Sequence, residues 1–172
     1  MIYYCIMVKT GGEEDFKKDC LRRCSEILPG VQAFFLKRSV KLWGRKKCMM
    51  VEKPPFPGYV FLGVPEESAE IFLAVMKCIN FFHFLNSNTD IRPLKGQDLE
   101  YLTKLLAYGE TSGLSKVKFD ENDRIQIISG PLEGFKGNII RVNRRKQRVT
   151  IRIDMCGNIS SVDLCYELVQ KI

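Results

Sequence analysis

Asn122-Asp123-Arg124-Ile125-Gln126-Ile127-Ile128-Ser129-Gly130-Pro131-Leu132-Glu133-Gly134-Phe135-Lys136-Gly137 is the stretch that divides this chain in two. Its first half is a short β-type run over 124–129. Ser129-Gly130-Pro131 then breaks the run with turn residues. Gly134 and Gly137 allow positive φ or close backbone approach, and Phe135 between them is an aromatic anchor for a small core. Downstream, 137–143, 148–154 and 158–163 repeat the short strand pattern, separated by turn residues, with no helical periodicity. Four or five such strands in about 55 residues predict a small all-β barrel over 117–172.

Upstream of the barrel, Gly109-Glu110-Thr111-Ser112-Gly113 reads as a polar linker, taken as 109–116. Before it, helical and strand periods alternate. Residues 2–8, Ile-Tyr-Tyr-Cys-Ile-Met-Val, form a continuous apolar run suited to a buried strand. Glu13, Glu14 and Asp15 then open a helix, where carboxylates favour the positive end of its dipole. Phe16, Cys20, Cys24 and Ile27 follow at helical spacing, and Pro29-Gly30 stops the helix. A strand over 31–40, a strand over 56–64, a helix over 66–77, a short strand over 81–85 and a helix over 96–108 complete the half. The order β-α-β-β-α-β-α predicts an α+β fold, a ferredoxin-like sandwich over 1–108. Between its second and third strands lies 41–53, with Lys41, Arg45, Lys46, Lys47 and Lys53 against one acid, Glu52. Trp43 and Gly44 sit inside this stretch, which reads as a hairpin arm or mobile loop.

The 172 residues carry 27 Lys plus Arg against 20 Asp plus Glu, a net charge of +7. That excess favours an anionic partner, nucleic acid first. Within 141–152 there are six cations and no acid: Arg141, Arg144, Arg145, Lys146, Arg148 and Arg152. They lie on a strand–turn–strand hairpin with Arg144-Arg145-Lys146 at its tip. Uncompensated Arg and Lys of this kind suit phosphate contact. No apolar run is long enough for a membrane span, and the N-terminus lacks the form of a secretory leader. A soluble, cytoplasmic monomer is the expectation. Seven cysteines at irregular spacing argue against a disulfide framework. Cys20 and Cys24, four apart, read as apolar fillers of a helix face. His83 is the only histidine, and no nucleotide-binding or hydrolase motif occurs. Neither catalysis nor a metal or other cofactor is expected.

Two segments carry a family resemblance. One is Phe56-Pro57-Gly58-Tyr59-Val60 with Tyr3-Tyr4-Cys5-Ile6 as its partner strand; the other is the 122–137 stretch. In that order, with a short linker between, they resemble the NusG family of transcription elongation factors, with a KOW motif in the second half. The basic 141–152 run resembles specialised antiterminators of the LoaP type more than the general factor. The resemblance implies an N-terminal domain that grips the clamp helices of RNA polymerase. Carried over by motif, the contacts are Met7, Phe56, Tyr59, Phe61 and Phe84, with Phe56 and Phe84 expected at the surface. It also implies a KOW domain that binds nascent RNA, such as a hairpin, or a protein partner such as a ribosomal protein or termination factor. The alternatives are a general housekeeping NusG factor and a ribosome-associated RNA-binding KOW protein.

Overall fold

The structure, a computed structural model, describes residues 1–169; the last three residues of the expected barrel, 170–172, lie outside the described residues. The elements run β1 (Ile2–Val8), α1 (Glu13–Ile27), β2 (Gln32–Phe34), β3 (Lys37–Trp43), β4 (Cys48–Lys53), β5 (Tyr59–Val64), α2 (Ala69–Met76), β6 (Phe81–Phe84) and α3 (Gly96–Leu106). They continue as β7 (Thr111–Ser112), β8 (Ser115–Phe119), β9 (Ile125–Ser129), a 3-10 segment (Pro131–Asn138), β10 (Ile139–Asn143), β11 (Arg148–Met155) and β12 (Asn158–Leu168). By packing, they form two compact units. One comprises Met1–Phe35 and Phe56–Glu100; the other comprises Leu36–Pro55 and the chain from Tyr101 onward.

In the first unit the sheet order is β2-β5-β1-β6, and every neighbouring pair is antiparallel. This is the expected ferredoxin-like order. Alternation sends Tyr4, Ile6 and Val8 of β1 and Val60, Leu62 and Val64 of β5 into one core with Phe16, Cys20 and Cys24 of α1 and Ile71 and Val75 of α2. Each large apolar side chain so buried contributes roughly 1.5–3 kcal/mol. Cys20 and Cys24 are fillers, as their spacing implies, with sulfurs 3.9 Å apart. No cluster of three metal-ligating side chains occurs among the described residues.

Two local devices hold this unit's turns. Ser68 caps α2, its hydroxyl accepting from the Ile71 N–H. α1 begins at Gly12 without a side-chain cap. Instead the buried Glu13 carboxylate accepts from the Gly11 N–H (2.7 Å) and the Gly58 N–H (2.8 Å), tying the start of α1 to the Phe56-Pro57-Gly58-Tyr59 turn. Gly58 has φ +81°, and a Cβ there would meet the Thr10 hydroxyl at 3.1 Å, so the turn requires glycine.

The strand expected over 31–40 is two strands. Phe35 and Leu36 are consecutive and both buried, so period-2 alternation fails there and the chain changes sheets. β3 pairs with β4 as a regular hairpin, which settles 41–53 as an arm with a tip at 44–47. β3 also pairs in parallel with β7, through Lys37↔Thr111 and Arg38↔Ser112. The expected tether 109–116 therefore includes a short strand and the start of β8. A polar composition does not prevent two extended residues from bonding to a free strand edge.

The second unit's main sheet runs β10-β11-β12-β8-β9, with only β12 and β8 parallel. Val117, Leu132, Phe135, Val149, Ile151, Ile153, Val162, Leu164 and Tyr166 are buried. Gly130 has φ +100°, and a Cβ there would meet the Ser115 Cα at 2.7 Å, while the Ser115 hydroxyl accepts from the Leu132 N–H. Phe135 is the expected anchor, its ring 5.6 Å from that of Tyr101. No described helix is long and apolar enough to cross a membrane.

Candidate functional site

The four-stranded sheet has a second face, opposite its helix-covered core. Register aligns its side chains in rows: Gln32, Gly63 and Tyr3; then Phe34, Phe61 and Cys5; then Tyr59, Met7 and His83. Met7, Tyr59 and Phe61, which the family resemblance selected from two separate segments, are thus neighbours on one face. Met7, Tyr59 and His83 are half-buried, whereas Phe61 is 1% exposed. The His83 Nδ1 lies 2.7 Å from the Phe84 carbonyl, which can only accept, so Nδ1 is the donor.

Phe56 and Phe84 are not surface residues. Phe84 is 2% exposed and lies in the core, its ring packed edge-on to Tyr4, Phe72 and Phe81. Phe56 is also buried. Phe84 faces inward because it is paired with the core residue Ile6, and a β-bulge beyond it sets Phe82 apart. Ile6 pairs with Phe84 and Met7 with His83, but Val8 pairs with Phe81, so Phe82 is skipped. The bulge turns Phe81 inward in place of Phe82 and leaves Phe82 58% exposed on the edge strand. Phe82 is the exposed aromatic that the reading of Phe81-Phe82-His83-Phe84 assigned to Phe84. Nothing in the four letters distinguishes the two.

In the barrel, alternation along β11 holds: Val149, Ile151 and Ile153 are buried, while Arg148, Thr150 and Arg152 face outward. The six cations are nonetheless not all uncompensated. Arg144 pairs with Asp123 at 2.9 Å, donates to the Asp123 carbonyl, and lies 4.0 Å from the centre of the Phe119 ring. Arg148 is mostly buried, 3.7 Å from the Asp163 carboxylate, and donates to the Lys41 carbonyl. Arg141, Arg145, Lys146 and Arg152 are exposed. Asp123 lies in the turn between β8 and β9 and Asp163 in β12, so the 141–152 run by itself shows no acid near Arg144 and Arg148. β3 adds Arg38, which donates to the Asp163 carbonyl; its burial lowers the guanidinium pKa from its ordinary value.

Comparison with known proteins bears on the fold that carries these residues. A family model described as KOW motif matches residues 121–152. The chain is 26% identical to the transcription termination/antitermination protein NusG of Thermus thermophilus, over 98% of this chain and 97% of that one. It is 21% identical to the protein of the same name from Rickettsia conorii, over 98% and 89%. A solved structure, "Domain interaction in Thermotoga maritima NusG", aligns over 95% of this chain and 93% of that chain, with TM-score 0.58 and 22% identity.

Proposed function

This chain is a NusG-family protein with a KOW motif, a NusG-like transcription termination/antitermination factor, and we propose that it works by binding alone, its N-terminal half on the RNA polymerase clamp helices and its KOW half on nascent RNA. The observation that supports the first contact is the Tyr59–Met7–His83 row on the sheet face away from the core helices. Phe82 at the adjoining edge adds an exposed ring. Phe61 stands in the row behind and supports the face from within. A factor of this kind acts by binding one state of the polymerase better than another, which shifts the population between them.

The test is retention of the full chain by an immobilised clamp-helix fragment. Replacing Tyr59, Met7 or Phe82 with Ala weakens retention, by up to about 2 kcal/mol for an aromatic anchor, with an unchanged melting temperature. Undiminished retention of all three variants would remove this face from the account.

The second contact rests on the exposed cations Arg141, Arg145, Lys146 and Arg152. Replacing Arg145 and Lys146 with Gln lowers affinity for a structured RNA and flattens its dependence on salt, because fewer counterions are released. Arg144→Gln instead lowers barrel stability, since Arg144 already serves Asp123 and Phe119. The reading as a specialised antiterminator depends on the same basic turn. If the full chain binds no RNA at low salt, a general factor acting through protein partners is the better description.

A further inference from the structure

The β3–β4 hairpin and the barrel turn 143–147 belong to the same unit and are fastened together. The Trp43 indole N–H donates to the Lys146 carbonyl at 3.2 Å. Lys41 donates through Nζ to the Gln147 side chain and to the Tyr166 carbonyl. Its backbone N–H meets the Cys165 sulfur, and its carbonyl accepts from Arg148. These bonds bring Arg45, Lys46 and Lys47 at the hairpin tip to the same end of the unit as Arg145 and Lys146 of the turn. All five side chains are exposed. No acid occurs in 43–50 or in 143–148; the hairpin's one acid, Glu52, is opposite Ser39, several residues from the tip.

Trp43 is 52% exposed even though its indole N–H is bonded. The bond fixes the edge of the ring and leaves ring surface to solvent, so little freedom remains to be lost when a flat ligand stacks on it. Around it are Arg45, Lys46, Lys47, Arg145 and Lys146, exposed cations of two segments that hold no acid, while Asp123 beside the turn is paired with Arg144. A fixed aromatic platform within a cationic rim is what unpaired nucleotides require: bases stack on the ring and phosphates meet the Lys and Arg groups. A duplex keeps its bases stacked internally and offers the ring nothing. An acidic peptide satisfies the charges but leaves the ring unused.

We propose that the hairpin tip and the barrel turn form one composite site for single-stranded RNA, with Trp43 as the stacking platform and Arg45, Lys46, Lys47, Arg145 and Lys146 as phosphate contacts. The site deepens the RNA reading of the KOW half and rests on it. It adds residues from the N-terminal part of the sequence that the KOW motif does not include.

Trp43 is the only tryptophan in the chain, so its fluorescence reports this site alone. The full chain is titrated with an oligouridylate, with a duplex RNA of equal length and with an oligoglutamate, and binding of labelled oligouridylate is followed separately by anisotropy. Oligouridylate quenches Trp43 and added salt reverses the quenching; the duplex and the oligoglutamate leave it unchanged. Trp43→Ala weakens oligouridylate binding about tenfold, and Trp43→Phe restores most of it. If oligouridylate binds and depends on Arg145 and Lys146, but neither quenches Trp43 nor responds to Trp43→Ala, the composite site is overturned and the barrel alone binds RNA. If oligouridylate does not bind while a structured RNA does, the composite site falls and the RNA reading of the KOW half stands; if neither binds at low salt, both fall. Equal quenching by oligoglutamate or by the duplex overturns stacking of unpaired bases. Should Trp43→Ala lower the melting temperature, quenching of the wild-type chain and the behaviour of Trp43→Phe decide.

Discussion

Phe82 and Phe84 stand two residues apart, yet one is core and the other is surface. Phe84 packs among Tyr4, Phe72 and Phe81, so its truncation leaves a cavity. Phe84→Ala is expected to cost about 3–5 kcal/mol in chemical denaturation, and Phe82→Ala to stay within about 0.5 kcal/mol. Equal effects would mean the bulge is absent in solution. Tyr4 offers a pH test in the same core. Burial, with the hydrogen bond to Glu67 (2.9 Å) and its charge, holds the Tyr4 phenol above its ordinary range. The unfolded phenol ionises near pH 10 and the folded one does so higher. The stability this contributes is complete below about pH 10 and is lost as pH rises beyond it. Melting temperature should therefore fall less steeply above about pH 10 in Tyr4→Phe than in the parent. Tyr166, also raised by burial, retains part of the slope in both proteins.

The β3–β4 hairpin is the element whose two ends differ most. At Lys41 the backbone N–H, the carbonyl and the ammonium are all bonded. At the tip, Arg45, Lys46 and Lys47 are exposed and the turn is closed by the Gly44 N–H donating to the Lys47 carbonyl. A protease needs several residues of backbone in extended, unbonded form, which exposed loop tips supply. Brief trypsin treatment of the full chain, read by mass spectrometry, should cut after Arg45, Lys46 or Lys47 well before Lys41. Early cleavage after Lys41 would show that the fastening to the barrel turn is weak. Saturating oligouridylate should protect the tip if the composite RNA site is present.

Across the whole molecule, packing and sequence order draw different boundaries. The unit that contains the KOW motif begins to gather residues at Leu36 and resumes at Tyr101, before the polar 109–113 stretch. Tyr101 packs its ring on Phe135 and accepts from the Asn138 side chain at 3.0 Å; Lys104 lies about 6 Å from both ring centres. A fragment starting at Leu114 exposes that face of Phe135, whereas one starting at Tyr101 keeps it covered. Losing roughly 2 kcal/mol of aromatic packing lowers the melting temperature of so small a domain by about 10 °C. Calorimetry of the two fragments checks this; identical melting temperatures would make 109–116 a sufficient boundary.

What the sequence by itself determined is what depends on neighbours along the chain. Phe16, Cys20 and Cys24 announce a helix face, Val149, Ile151 and Ile153 announce a strand face, and Ser129-Gly130-Pro131 announces a turn, because periods of 3.6 and 2 and the conformational limits of Gly and Pro are local properties. From these followed the ferredoxin-like half and the barrel; the selection of Met7, Tyr59 and Phe61 came from the resemblance of the Phe56-Pro57-Gly58-Tyr59-Val60 segment and its partner strand to the NusG family. The tertiary structure alone decided the rest. One extra residue in β6 put Phe82 and Phe84, which regular alternation would leave on one face, on opposite sides of the sheet, since a slip of register exchanges the faces of a strand. Glu13 became the clasp of two turns only when Gly58, forty-five positions on, reached it. Arg144 found Asp123 and Arg148 found Asp163 only once the barrel closed, which gave two apparently uncompensated cations partners within it. Trp43 came to rest on Lys146, more than a hundred residues away in the chain. Such partners are set by the folding of distant segments onto one another, and no local period records them.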